Sequence, residues 1–454
     1  MISSKQLIQA AAGAGGEPDF FILSFGTSGS ITSLVGIDVD TNGDIVAGGF
    51  TTHASAQGNA DVFLVKVDVS GDVIWEVMSG DTGATTGDYV NSVKIDSNDN
   101  IYAAGYFTHI SGDSTAGLMQ KYDSDGNLTW ANAIDGPLYD TINGIDISSD
   151  DSKIYYAGAH DRTLSTPNGY NWGYVNSAGT SIVDYRYENA SYSSNANDVA
   201  VAPNGNVFTV GSGYKGTTGS WPMVYRLTSS GAGSQRILTS TSTQVTYHIS
   251  AAALSDSTAV VAGRATTGSA RYSLLLQRLN SSLVPIWTRI IRRPMTGTSY
   301  YTQVPSKVVV DSNDNIYVAS AARGNKHACI MKFDSNGTLD WANEITTSSE
   351  DITITFHKIC LDANEEHLYL AGYEKATSTG GSTQSGFIVK IPTDGSALGT
   401  YGPFIYQATP SLTDLSASYS TQTPDGLYGS ASQQLKASSF TNVDPNMTTS
   451  IEEG

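Results

Sequence analysis

Residues 93–105 read VKIDSNDNIYAAG, and residues 308–320 read VVVDSNDNIYVAS. In both, a run of strand-forming residues meets a cluster of Asp, Asn and Ser, then resumes and closes on small residues. Alternating strand formers around such a turn are the sequence signature of a β-hairpin. Five further segments follow the same plan: GIDVDTNGDIVAGG, GIDISSDDSKIYYAG, VAVAPNGNVFTVG, AALSDSTAVVAG and ICLDANEEHLYLAG. The seven copies end at Gly49, Gly105, Gly158, Gly211, Gly263, Ser320 and Gly372, so successive ends lie 52–57 residues apart. That regularity excludes unrelated hairpins, and a fixed period near fifty residues marks a repeat architecture.

A second motif alternates with the first. Its clearest copies are FLVKVDVSGDVIW (63–75), LMQKYDSDGNLTW (118–130) and IMKFDSNGTLDW (330–341), each a hairpin closing on Trp75, Trp130 or Trp341. Weaker copies span 20–31, 174–182, 224–236, 274–287 and 387–398, making eight. Two hairpins give one four-stranded unit, and a ring of such units is a β-propeller. The expected class is therefore all-β, a propeller of seven or eight four-stranded blades. Eight is favoured, with 416–432 supplying a degenerate first motif that joins 20–31 in a mixed closing blade. Strands covered on both faces by neighbouring blades should read as continuous apolar runs, as Ile101 to Gly105 do; Ala104 and Ala319 are then interior positions. The four tryptophans Trp75, Trp130, Trp287 and Trp341 share one repeat position, which points to packing between blades. Residues 1–18 read as a docking arm with a short helix (Leu7 and Ile8 its apolar stripe) and a Gly-rich linker, 19–432 as the propeller, and 433–454 as a polar C-terminal tail.

Only 15% of residues are charged and 46 are Gly, a balance that suits strands and turns. Acidic residues outnumber basic ones 43 to 24, a net charge of −19 that repels phosphates and lipid headgroups. Nucleic acid and membrane are not expected partners. Cys329 and Cys360 sit in apolar runs and read as buried free thiols. The opening sixteen residues lack a continuous apolar segment, so no secretory signal is expected, and no apolar run is long enough to span a bilayer as a helix.

The chain carries no G-x-S-x-G and no H-E-x-x-H, and its seven histidines (53, 109, 160, 248, 327, 357, 367) are scattered. No catalytic residue, cofactor or resident metal is expected, and the chain is not expected to be an enzyme. Gly211 to Gly216 matches G-x-G-x-x-G, but no helix-forming sequence follows to aim at a pyrophosphate, so it reads as a loop. Asp38, Asp40 and Asn42 reproduce the first half of a D-x-D-x-N-G calcium loop, yet position twelve is Gly49 where a bidentate Glu belongs. Their turn already favours Asp, Asn and Gly, so calcium is not expected there. Arg289, Arg292 and Arg293 break the otherwise neutral or acidic pattern after the tryptophan. They pair with nearby carboxylates or meet an acidic subunit, another copy of this chain included. Tyr300, Tyr301, Tyr401 and Tyr406 fall between hairpins, where rings can stack on sugars, so a host surface glycan is a candidate partner.

The elements D-x-x-G-N-I-Y-x-x-G and K-x-D-x-x-G-x-x-x-W resemble the bacterial β-propeller repeat family of surface and secreted proteins, over nearly the whole chain. The opening MISSKQLIQAAAG (1–13) resembles the start of virion structural proteins of marine tailed phages, especially those of cyanobacteria. The second resemblance implies a place on the exterior of a phage particle, in a tail, fibre or capsid decoration. It implies other virion subunits as partners, with Leu7 and Ile8 at the attachment. The alternative is a carbohydrate-binding or adhesion propeller of a bacterial surface.

Overall fold

The computed structural model describes residues 6–9, 18–26, 29–53, 60–80, 87–108, 115–135, 140–160, 169–188, 193–215, 219–228, 233–240, 246–266, 272–292, 303–322, 327–348, 352–376, 384–409, 412–414, 419–422, 427–431, 434–437 and 441–443. The chain is an all-β, seven-bladed propeller of four-stranded antiparallel blades. Blade 1 is Thr32–Val39, Ile45–Thr51, Asp61–Val67 and Val73–Gly80, and blade 2 is Asp88–Ile95, Ile101–Thr108, Thr115–Tyr122 and Leu128–Asp135. Blade 3 is Asp140–Ile147, Lys153–His160, Gly169–Asn176 and Ile182–Glu188; blade 4 is Ser193–Val201, Val207–Lys215, Gly219–Leu227 and Gly233–Ser240. Blade 5 is Thr246–Ala253, Ala259–Thr266, Tyr272–Leu279 and Pro285–Arg292; blade 6 is Gln303–Val310, Ile316–Ala322, His327–Phe333 and Leu339–Thr347. Blade 7 joins Ile352–Leu361, His367–Ala376 and Gln384–Pro392 to Phe21–Phe25 from the other end of the chain.

That last pairing corrects the expectation of eight blades. Phe21 to Phe25 run antiparallel to Lys390 back to Gly386, so the extra copy of the second motif is half a hairpin completed across the termini. The stretch expected to supply an eighth blade does something else. Leu427–Ala431 pairs with the fourth strand of blade 3, Tyr187 facing Tyr428. Further strands follow the same rule: Phe404–Ala408 adds to blade 6, Thr413–Asp414 to blade 5, Tyr419–Gln422 to blade 4, Gln434–Ala437 to blade 2 and Thr441–Val443 to blade 1. The C-terminal segment thus visits blades 6 to 1 in reverse order. Residues 434–437 and 441–443, expected in a polar tail, are edge strands, because the outer edge of a blade offers unpaired backbone groups that another strand satisfies. Blade 7 takes its fifth strand from Gln6–Gln9, with Leu7 opposite Leu23 and Ile8 opposite Ile22. The helix expected there is a strand, since that same open edge outweighs a weak local helical preference.

The repeat signature has a steric cause. Each first strand carries a bulge, as between Val90 and Ser92, and presses a carbonyl onto the second strand. A Cβ on Gly49, Gly105, Gly158, Gly211, Gly263 or Gly372 would collide with the carbonyl oxygen of Ser33, Tyr89, Thr141, Asn195, Tyr247 or Thr355. Blade 6 departs from this, with Ser320 paired to Pro305. Gly211 to Lys215 lie within a strand, so the G-x-G-x-x-G match is not a loop; strand pairing through Lys215–Gly219 extends the hairpin past the expected turn.

The strands form two compact units. One gathers blades 7, 1 and 2, the other blades 3 to 6. In the first, Phe25, Leu34, Phe63 and Ile388 join blade 7 to blade 1, while Val46, Leu64, Val90 and Leu118 join blade 1 to blade 2. In the second, Trp172 meets Tyr225 with centroids 4.3 Å apart, and Leu274, Leu276, Val318 and Met331 join blade 5 to blade 6. Ala104 and Ala319 are fully buried. Trp75 and Trp287 each donate an indole N–H to a turn carbonyl of the next blade, Ser124 and Ser335, both at 3.1 Å. Among the described residues no helix is long and apolar enough to cross a membrane.

Candidate functional site

At one edge of the blades lie tight turns, each opened by an acidic residue. Asp40 Oδ1 accepts the amides of Asn42 (2.9 Å) and Asp44 (3.0 Å). Asp68, Asp96, Asp123, Asp311 and Asp334 do the same two and four residues on. The residue after the bend adopts a left-handed conformation and is Gly43, Gly71, Gly126 or Gly337 in four of these turns, Asp99 or Asp314 in the other two. The calcium-like spelling therefore describes a turn. Asp40 Oδ2 binds the buried Lys66 at 2.7 Å, while Asp38 Oδ2 turns to blade 2 and accepts the amide of Ile95 at 3.0 Å. Asp146 makes the equivalent bond to Val201 at 2.7 Å. The side chains of Asp38 and Asp40 are thus directed to different partners, and the amides of Asn42 and Asp44 close the turn on Asp40.

Arg289 lies over Trp287 and reaches the turn of blade 6, its Nε donating to the carbonyl of Gly337 at 2.9 Å. Its Nη2 donates to the carbonyl of Asn336 at 3.3 Å. Arg292 ends the same strand opposite Thr413; Arg293, Tyr300 and Tyr301 lie outside the described residues. Tyr406 is buried, its hydroxyl accepting a hydrogen bond from Asn343 at 2.9 Å, and is unavailable for stacking on a sugar. Tyr401 is half-buried in the short strand Gly399–Tyr401. His160 and Asp140 form a buried pair, Nδ1 to Oδ1 2.5 Å. His248 is buried against Gln277 at 3.0 Å, and loss of hydration lowers its pKa to about 4.

The strongest concentration of polar chemistry is on the first strands of blades 4, 5 and 6, which sequence reasoning missed. Asp198 has no exposure, and its Oδ2 accepts from Ser250 Oγ (2.7 Å), the amide of Ala251 (3.0 Å) and Lys307 Nζ (2.5 Å). Ser250 Oγ in turn accepts the amide of Val308 at 3.1 Å. Beside them Asn143 donates to the carbonyl of Ala196 (2.8 Å), and Asn197 to that of His248 (2.7 Å), so the asparagine of one bulge grips the next blade. The residue after the bulge is Gly36, Ser92, Gly144, Asp198, Ser250, Lys307 or Lys358 in blades 1 to 7. Aligning the repeats at that point exposes the charged exceptions, and that is the signal that finds them. Chemically the cluster is a clamp: its serine is held between a carboxylate and an amide, and its lysine is spent on a carboxylate.

No protein-family model matches the chain, and no curated protein matches it. Among solved structures it is similar to the polysaccharide lyase Uly1 (10% identity, 85% of this chain and 95% of that one, TM-score 0.48). It is also similar to the β-propeller domain of the Trilobed protease from Pyrococcus furiosus (8%, 81% and 98%, TM-score 0.46). A third is the acylaminoacyl peptidase of Pyrococcus horikoshii (8%, 76% and 52%, TM-score 0.44). The expectation that the chain is not an enzyme is corrected by these neighbours, which include enzymes. At these identities and TM-scores, none of them gives this chain an activity.

Proposed function

We propose that the chain is a structural component on the exterior of a tailed-phage particle, a rigid platform in a tail, fibre or capsid decoration that presents a surface to the host. The observation that carries this reading is the set of fifth strands. Each of the seven blades has its outer edge paired by a segment from one end of the chain, and blocked edges suit a body displayed at high local concentration without edge-to-edge association. Clamps between blades support the same reading: Thr41 donates twice to Asp99 (2.9 and 2.8 Å), and Ser255 twice to Asp314 (2.8 and 2.7 Å). The resemblance of residues 1–13 to virion structural proteins supports the placement. The test is quantitative mass spectrometry of gradient-purified particles, with antibody labelling in the electron microscope. The reading requires a fixed copy number per particle and label on the outside. Absence of the chain from infectious particles would end it.

A further inference from the structure

The residue that follows the small residue of the second strand, glycine in six blades and Ser320 in blade 6, differs between the two units. It is Tyr373 in blade 7, Phe50 in blade 1 and Tyr106 in blade 2, but Ala159, Ser212, Arg264 and Ala321 in blades 3 to 6. Three successive blades of one unit therefore carry a ring where the rest of the repeat carries a small or cationic group. Tyr89, directly opposite Tyr106 in register, extends the row. Tyr89 stacks on Tyr106 with centroids 4.8 Å apart and planes at 22°, and Phe50 meets Tyr89 edge-on at 4.8 Å. Tyr373 tilts over His357 at 5.5 Å. These four rings are only half-buried, unlike Trp172 and Tyr170, which pack the blades and have almost no exposure.

We infer that the aromatic row of Tyr373, Phe50, Tyr89 and Tyr106 binds a neutral oligosaccharide by stacking pyranose rings on these side chains. Flat apolar faces with the tyrosine hydroxyls at their margin match a sugar, whose ring presents C–H bonds on its faces and hydroxyls at its rim. Charge selects among sugars: a chain of net charge −19 disfavours sulfated or sialylated glycans. The inference goes beyond particle membership and is read on the isolated chain, so either can fail without the other.

The experiment is saturation-transfer NMR and calorimetry on the full chain with neutral hexaoses built of glucose, galactose, mannose or N-acetylglucosamine, and with a sulfated hexaose. At least one neutral hexaose is expected to bind, and titration should shift Tyr and Phe ring resonances in the unaltered protein. Phe50→Leu and Tyr106→Leu keep apolar bulk and lose the ring face, so each should weaken binding at least tenfold. Arg264→Ala, at the equivalent position of blade 5, should bind as the parent does. No neutral hexaose bound at about 10 mM, an affinity too weak to matter, would overturn the inference. So would preference for the sulfated hexaose, ring resonances that stay put on saturation, or full affinity in folded Leu variants.

Discussion

Asp198 is costly to leave without its partners, because it is a carboxylate with no exposure. A buried carboxylate keeps its charge only while donors surround it, and Lys307 supplies the countercharge with its own side chain 13% exposed. Removing one partner of such a pair costs roughly 3–5 kcal/mol, whereas the intact pair contributes little net stability. Lys307→Met should therefore lower the urea midpoint sharply, and Lys307→Met with Asp198→Leu should recover part of the loss. Equal midpoints for Lys307→Met and the parent would show that the pair is not buried as described. The two residues are 109 positions apart, so no local spacing could reveal them. His248 gives a second prediction. Its folded pKa of about 4 lies below the 6.5 of the unfolded chain, so between those values only the unfolded state takes up the proton. Stability is fully present above pH 6.5 and falls as pH drops towards 4, by at most about 1.4 kcal/mol per unit. His248→Gln should flatten that slope in denaturation measured from pH 7 to 4, and His357, also lowered to about 4 by burial, contributes in the same direction.

At the level of strands, the hairpins were legible because their causes are local: Asp accepting two amides of its own turn, and Gly where a Cβ would strike a carbonyl. The added edge strands were not. They are 2–5 residues long in the C-terminal segment, too short to show a period of two, and what orders them is an edge supplied by residues far away in sequence. Gln6–Gln9 carries the same lesson, since its apolar pair Leu7 and Ile8 fits a helix as well as a strand until Phe21–Phe25 is placed beside it. The difference between edge and interior strands can be measured. Among the described residues, deleting residues 1–16 removes only the fifth strand of blade 7, Gln6–Gln9, and should lower Tm slightly. Deleting residues 1–26 also removes Phe21, Ile22, Leu23 and Phe25, all at most 2% exposed, and at about 1.5–3 kcal/mol per buried large side chain should prevent stable folding. Folded protein with a near-parental Tm from the longer deletion would contradict the completion of blade 7 by the N-terminal strand.

For the whole chain, the seven blades account for the buried core, while the fifth strands govern what the molecule does with its edges. An unpaired outer strand templates association with another chain, and proteins manage this with bulges, proline or a covering segment. The fourth strands of blades 1, 2, 5 and 6 each show an irregularity near their start, and Pro285 opens that of blade 5. Their later halves are regular and are the parts the added strands cover, as Asn343 to Thr347 pair with Phe404 to Ala408. Local protection and covering strands therefore divide each edge between them. A chain ending at residue 409 keeps the cover of blade 6 and loses it on blades 1 to 5. Because the lost strands are short and the blade cores are untouched, the stability cost should be small. A change of about 1 kcal/mol moves Tm by roughly 2–4 °C in a domain of 150–250 residues and by less in a larger one. Association should change far more: light scattering during size exclusion at rising concentration should show the parent monodisperse and the truncated chain forming multimers. A truncated chain that stays monodisperse at every concentration would mean that bulges and Pro285 suffice, and that the C-terminal strands serve another purpose than covering edges.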